Sequence, residues 1–421
     1  MSALQLAAVL LFLTALFGWV NVKLLRIPNA IGMVSLALAT SLALVVVQRL
    51  FPDVRLATPL ADTLKQIDFP DVVLNGMLCF LLFAGAFDMD WDRLRDRAWP
   101  VATLAVVATV ITTAVVGVVF WAAARWLGNP IGLSWCLVFG ALISPTDPVA
   151  VLSMVKSAPI PERVQTELQG ESLFNDGVGV VLFTLLVGVA TSKTEPTAAT
   201  VALELVREAG GGAILGLSFG YVAYRAMKAV DDFPVEVMIT LALVTVTYSL
   251  AQSVGASGPL AVVVAGILIG ERGPRYAMSD KTKAYVSGLW TLIDEVLNAM
   301  LFLLLGLQVI AVPFQGWSLT LALLSPFIVL AGRLVAVAAP LLAIPWSRRL
   351  SLRNVPLLTW AGVRGGICVA LALALPGAPE KTPILAATYA VVIFSILVQG
   401  STLGWVARRT GASGRLEGSG S

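Results

Sequence analysis

The chain has 421 residues, a mean hydropathy of +0.89, 58% hydrophobic residues, 13% charged residues and a net charge of +3. That composition excludes an ordinary soluble domain. The absence of histidine removes Ser-His hydrolysis and His-rich metal chemistry, so a membrane-embedded enzyme is disfavoured and no cofactor is expected.

Apolar stretches of about 18 residues or more can cross a bilayer. They fall near 3–20, 28–48, 70–87, 99–124, 130–154, 166–190, 199–228, 234–254, 257–270, 285–310, 317–345, 355–376 and 382–407. The prediction is an all-α polytopic membrane protein of about thirteen transmembrane helices. The first span lacks a basic n-region and a small-residue cleavage site, so it reads as a helix and not a signal peptide. Nineteen of the 28 Lys and Arg residues fall in one set of alternate loops and the C-terminal tail, among them Arg93, Arg95, Arg97, Arg163 and Arg272. The positive-inside rule then places the C-terminus in the cytoplasm and, for an odd number of spans, the N-terminus outside. The net charge of +3 follows from this topology and gives no support to nucleic-acid binding. Cys79, Cys136 and Cys368 all lie inside apolar spans without metal-ligand spacing and read as small core residues. The loops leave no room for a separate soluble domain, and Gly414 to Ser421 has the look of an expression remnant.

The fifth span is interrupted by Ser144-Pro-Thr-Asp-Pro148. Prolines at 145 and 148 remove two N–H donors, so the carbonyls of Ala141 and Ser144 lose their helical partners. In hydrocarbon such groups are tolerated only where they are buried in protein or line a cavity. Thr146 and Asp147 add a hydroxyl and a carboxylate at the same depth. Oxygen atoms of this kind suit a small, hard cation.

The sixth span carries Gly170-Glu-Ser-Leu-Phe-Asn-Asp-Gly177. Ser172, Asn175 and Asp176 share one helical face, and Gly179, three residues on, permits close approach of a neighbouring backbone. An ionisable group at this depth is a functional candidate by default. Asp176 can hold a cation when ionised and needs none when protonated. Seven spans later, Ala361-Gly-Val-Arg-Gly-Gly366 interrupts the twelfth span. Seven is odd, so the two broken spans run in opposite directions, the pattern of inverted repeats around a midplane site in secondary transporters. Two unrelated kinks would be the alternative, but both breaks also carry charge. Arg364 needs a partner in the membrane, and Glu171, at comparable depth and off the Asp176 face, is the expected one. Arg333 has no partner that can be named from the sequence. Asp88, Asp294, Glu295 and Asn298 are expected in helix packing or at the cytoplasmic mouth.

Several of these stretches resemble a known family. They are Phe80-Leu-Leu-Phe-Ala-Gly85, Ser144-Pro-Thr-Asp-Pro-Val-Ala150, Gly170-Glu-Ser-Leu-Phe-Asn-Asp176, Ser257-Gly-Pro-Leu-Ala261, Leu292-Ile-Asp-Glu-Val-Leu-Asn298 with Leu301-Phe-Leu-Leu-Leu-Gly306, Trp360-Ala-Gly-Val-Arg-Gly-Gly366 and Phe394-Ser-Ile-Leu-Val-Gln-Gly400. In order along nearly the whole chain, they resemble the bacterial sodium/proton antiporters of the cation:proton antiporter-1 family, the NhaP type related to animal sodium/proton exchangers. The resemblance implies a homodimer in the bacterial cytoplasmic membrane that exchanges Na+ or Li+ for H+ by alternating access. It also implies a division into units. Residues 1–98 and 193–316 would form the dimerisation unit and 99–192 and 317–410 the ion-translocating core, with 411–421 as a tail. By motif position, Asp176 carries the ion or the proton, and Thr146, Asp147 and Ser172 complete the Na+ site. Asn175 supports it, and Glu171 pairs with Arg364. The Asn175-Asp176 pair is similar to the electroneutral branch of the family, with one cation exchanged for one proton. Phe87-Asp-Met-Asp90 departs from the family pattern, and no ligand role is assigned there. Within the same class K+/H+ exchange is the alternative, because oxygen ligands alone do not set cavity size. A cation channel is a different class, disfavoured by the paired breaks around a lone carboxylate.

Overall fold

The structure is a computed structural model that describes residues 3–50, 69–147, 160–191, 198–309, 316–343 and 354–410. Among these residues it is helical throughout, with no strand. In chain order the helices are α1 (Ala3–Val20), α2 (Asn29–Leu50), α3 (Asp71–Phe87), α4 (Trp91–Asp96), α5 (Ala98–Trp126), α6 (Leu133–Leu142), α7 (Glu162–Thr191) and α8 (Ala198–Lys228). They continue as α9 (Phe233–Ser253), α10 (Gly258–Tyr276), α11 (Asp280–Gln308), α12 (Trp317–Ala343), α13 (Val355–Trp360), α14 (Gly366–Leu373) and α15 (Lys381–Arg409). Every expected apolar span coincides with one of these helices or a helix pair, although the fifth is described only as far as Asp147. Seven of the helices are long and apolar enough to cross a membrane, and three shorter ones are apolar as well.

Local chemistry explains where several helices start. Asp232 accepts a hydrogen bond from the Val235 N–H at 3.3 Å, and Pro234 follows at a position where no N–H is needed. Ser257 does the same for Leu260 at 3.4 Å, again with a proline, Pro259, in the first turn. Ser279 caps α11 through the Thr282 N–H at 3.4 Å.

Helix association in an apolar solvent rests on close packing, which small residues permit. Helices α8 and α10 show this along their length. A methyl group at Gly212, Gly216 or Gly220 would press on Ser257, Ala261 or Ala265 respectively, a register that advances in the same direction on both helices. The two helices therefore run parallel, with α9 packed against both. These three helices share a buried cluster with α3 and α11 in which the Phe83 and Trp290 rings meet at 4.4 Å, tilted by 47°. On the other flank α5 packs on α6 and α12, α12 on α15, α6 on α7, and α14 on α15. The interrupted helices, α6 and the α13/α14 pair, lie within this second set.

Candidate functional site

The helix α6 ends where the sequence demands it. The Ser144 hydroxyl donates to the Ala141 carbonyl at 2.8 Å, and the Ser144 N–H reaches the same oxygen at 3.2 Å. The carbonyl left open at Ala141 by the proline is thus closed locally. The carbonyls of Ser144 and Pro145 are served from the other break instead. Arg364 Nη1 donates to both, at 2.9 Å for Pro145. The second interruption is a tight turn after α13, in which the Val363 N–H bonds the Ala361 carbonyl at 2.8 Å. The Asp147 N–H then donates to the Val363 carbonyl at 2.8 Å, so the unwound segments are joined backbone to backbone. Both breaks therefore supply the partners that each lost by leaving the helix. Pro148 and the residues after it in the expected fifth span lie outside the described residues.

Helix α7 brings the polar face to this junction. Asn175 Nδ2 donates to Thr146 Oγ1 at 2.9 Å, and Asn175 Oδ1 accepts from the Thr146 N–H at 3.3 Å. Thr146 Oγ1 and Ser172 Oγ share a hydrogen bond of 2.7 Å. Each hydroxyl has two lone pairs and one proton, so after these bonds an oxygen lone pair remains for a further ligand. Thr146, Ser172, Asn175 and Asp176 are all buried, and Asp147 is half-buried. The approach is close: a methyl at Gly179 would collide with the Pro145 ring, and one at Gly365 would collide with the Asp147 carboxylate.

Asp176 Oδ1 has no hydrogen-bond partner among the described residues, although it is fully enclosed. Such a group needs a charge or a proton in its place. The charges acting on Asp176 are the Asp147 carboxylate and the Arg364 guanidinium. Asp176, Asp147 and Thr146 line a cavity of about 60 Å³ together with Pro145, Gly365 and Asn298. At about 10–15 Å³ per water, it holds a few waters or a partly hydrated ion. Asn298 was not expected at the cavity. Its amide donates to the Asp294 carbonyl at 2.8 Å and carboxylate at 2.9 Å, one turn back on α11. Its place in the motif Leu292–Asn298 was the available signal, but the spacing does not tell a cavity-facing amide from a packing one. Asp88 and Glu295 are exposed, and Asp294 is partly so.

The expected partnership of Glu171 with Arg364 is corrected by the structure. Glu171 is held by Arg333 of α12, with Nη1 bonded to Oε1 and Nη2 to Oε2 at 2.7 Å. Arg333 also donates to the Leu358 carbonyl at 3.3 Å. The reason lies in competing demand. Arg364 is taken up by the Ser144 and Pro145 carbonyls, and Arg333 is the buried guanidinium that faces Glu171. Arg364 is entirely buried, and its Nε and Nη2 make no hydrogen bond with the described residues.

A helical membrane fold whose two interrupted helices meet beside an enclosed carboxylate is that of a secondary transporter for a small ion. The chain belongs to the sodium/hydrogen exchanger transmembrane family, whose model matches residues 10–409. It is 41% identical over 419 residues to the Na+/H+ antiporter NhaP of Pseudomonas aeruginosa, a match that covers 98% of each chain. It is 33% identical over 348 residues to the Na+/H+ antiporter NhaH of Halobacillus aidingensis, covering 82% of this chain and 84% of that one. The fold is shared with the sodium proton antiporter MjNhaP1 of Methanocaldococcus jannaschii, with a TM-score of 0.73 over 97% of this chain and 98% of that one at 20% identity.

Proposed function

We propose that this protein exchanges Na+ or Li+ for H+ across the bacterial cytoplasmic membrane, one for one, with Asp176 carrying the cation in one direction and the proton in the other. The observation that carries this reading is the enclosed Asp176 oxygen, without a partner among the described residues, beside a small cavity. An ion pair fixed within the protein would leave nothing to exchange, whereas a carboxylate whose only remaining partner is a mobile cation or a proton must take one or the other. Thr146, Ser172 and Asp147 add oxygen ligands to Asp176, and Asn175 holds the Thr146 hydroxyl in place. The names of the relatives support sodium as the cation.

The reading extends to the assembly. Thirteen membrane crossings, an external N-terminus and a cytoplasmic C-terminus follow from the spans and the basic loops. The packing of α5, α6, α7, α12, α14 and α15 with one another supports a core made of residues 99–192 and 317–410. Residues 1–98 and 193–316 would form a static unit that dimerises, against which the core moves.

The test is purified protein in liposomes with an internal pH dye, challenged with Na+, Li+ and K+ gradients. Wild-type protein should move protons in response to Na+ and Li+. Asp176→Asn should abolish this while remaining folded and of unchanged oligomeric state. Sodium-driven proton movement by Asp176→Asn would end the mechanism. A response to K+ alone would reassign the cation within the same site.

A further inference from the structure

Two cavities larger than the one at the ion site lie elsewhere among the described residues. One of about 410 Å³ lies between α4, α5 and α7 on one side and α8 and α10 on the other. A second of about 330 Å³ continues from it along α10, and Trp91, Phe174 and Val264 border both. Together they run from Leu260 to Arg272, twelve steps along one helix, or about 18 Å at 1.5 Å per step. One leaflet is half of a hydrocarbon core about 30 Å thick, so the crevice is long enough to take an acyl chain of one leaflet. Its walls away from the rim are apolar, from Ala105 and Val178 to Ala213 and Leu260.

The rim is different. Trp91, 39% exposed, sits there as an amphipathic ring at a membrane–water boundary does. Arg95 and Arg272 border the crevice and are exposed. Their neighbours are committed to carboxylates: Arg93 to Asp90 and Glu162 at 3.2 and 3.0 Å, Arg97 to Glu167 at 3.3 Å, and Arg275 to Asp92 at 2.8 Å and to Glu271. Glu271, the acidic residue at the rim, is held by Arg275, which it shares with Asp92. Neither Arg95 nor Arg272 has a carboxylate partner among the described residues. A slot long enough for an acyl chain, apolar within and with these two exposed arginines, free of carboxylate partners among the described residues, at its mouth, matches an acyl chain attached to an anionic headgroup.

We propose that this crevice holds an acyl chain of an anionic phospholipid from the cytoplasmic leaflet, with the headgroup phosphate at Arg95 and Arg272. The cytoplasmic assignment rests on the orientation given above, but the binding itself does not depend on ion exchange. The full-length protein in mixed vesicles of phosphatidylglycerol and phosphatidylcholine, one of them bearing a mid-chain photoreactive group, provides the test. Labelled phosphatidylglycerol should mark peptides covering 174–178 and 260–272, at least fivefold more than labelled phosphatidylcholine does. Ala213→Trp, which fills the slot, should reduce labelling at least fivefold. Arg95→Gln/Arg272→Gln, which leaves the apolar packing untouched, should erase the headgroup preference. Melting temperature and antiport of each variant are followed in parallel, so a loss of labelling is separable from unfolding and from a failure of the exchange reading. Equal labelling by both lipids, or labelling indifferent to the arginine pair, would overturn the proposal. So would efficient crosslinking of Val264→Cys between two copies of the chain without lipid labelling, because the crevice would then be a dimer contact.

Discussion

Glu171 and Arg333, 162 residues apart in sequence, form a two-pronged ion pair buried in the protein interior. The Leu358 carbonyl, on α13, accepts from the same guanidinium, so the pair ties α7 to α12 and to the helix that leads into the second break. Removing one partner of a buried pair strands the other charge, at a cost of about 3–5 kcal/mol. Glu171→Ala and Arg333→Ala should each lower the melting temperature strongly, and the double mutant should be more stable than either. Glu171→Ala combined with Arg364→Ala should instead be additive or worse. Thermal melts of the wild type, the three single mutants including Arg364→Ala and the two double mutants in one detergent check this, and additivity for Glu171 with Arg333 would refute the pairing.

The misassigned partner shows where reasoning from sequence stops. The break at Pro145, the polar face of α7 and the paired interruption at 361–366 were legible because each follows from chemistry local to one span: missing amides, a 3.6-residue period, glycine and charge in an apolar run. Thr146, Ser172, Asn175 and Asp176 come together in the structure because each of the two local patterns is intact. Whether Arg333 or Arg364 reaches Glu171 depends on how α12 and the α13/α14 turn sit around α7, and two guanidiniums facing one carboxylate give the sequence no means of choosing. The Ser144 carbonyl was a visible demand for a donor, and Arg364 is the donor. Asn298 at the cavity was hidden for the same reason, since the spacing within its motif on α11 does not tell an amide that faces the cavity from one that packs between helices.

Arg364 is expected to act as the clasp of the two breaks. Arg364→Ala leaves the buried Ser144 carbonyl without a donor among the described residues and the Pro145 carbonyl with only the weak Cys368 thiol at 3.8 Å, at about 1–3 kcal/mol for a lost partner. Arg364→Lys retains a positive charge with several N–H donors on one nitrogen, as Nη1 now serves both carbonyls. The lysine variant should fold with an intermediate melting temperature and reduced exchange, and the alanine variant should be the least stable and inactive. Equal stability of the two would show that the carbonyls are satisfied some other way.

Thr146→Val keeps volume and removes the hydroxyl that Asn175 donates to and Ser172 shares. The unpaired amide and hydroxyl cost about 1–3 kcal/mol, and one oxygen ligand is lost. The expected outcome is a rise of about tenfold or more in the Na+ concentration for half-maximal exchange. Thr146→Ser, which restores the hydroxyl, should recover most of the affinity. A valine variant with wild-type sodium dependence would place Thr146 outside the site.

Exchange is expected to be electroneutral, because competition takes place at one carboxylate. If Asp176 carries either one Na+ or one H+, the loaded site has the same charge in both directions. Glu171 and Arg333 cancel, and Arg364 is constant through its bonds to the Ser144 and Pro145 carbonyls. Asp147 contributes no net movement if it keeps one protonation state, its backbone held to Val363 at 2.8 Å. Voltage would then do no work on the cycle, whereas one uncompensated charge is worth about 2.3 kcal/mol per 100 mV. The same competition predicts a bell-shaped pH profile without any histidine: at low pH protons displace the cation, and at high pH the return of the proton limits turnover. The sodium gradient that just nulls proton flux, measured at zero and at strongly negative clamped potential, should be the same. A null point that moves with voltage means more than one proton per cation, and Asp147, the second carboxylate of the cavity, becomes the group that carries it.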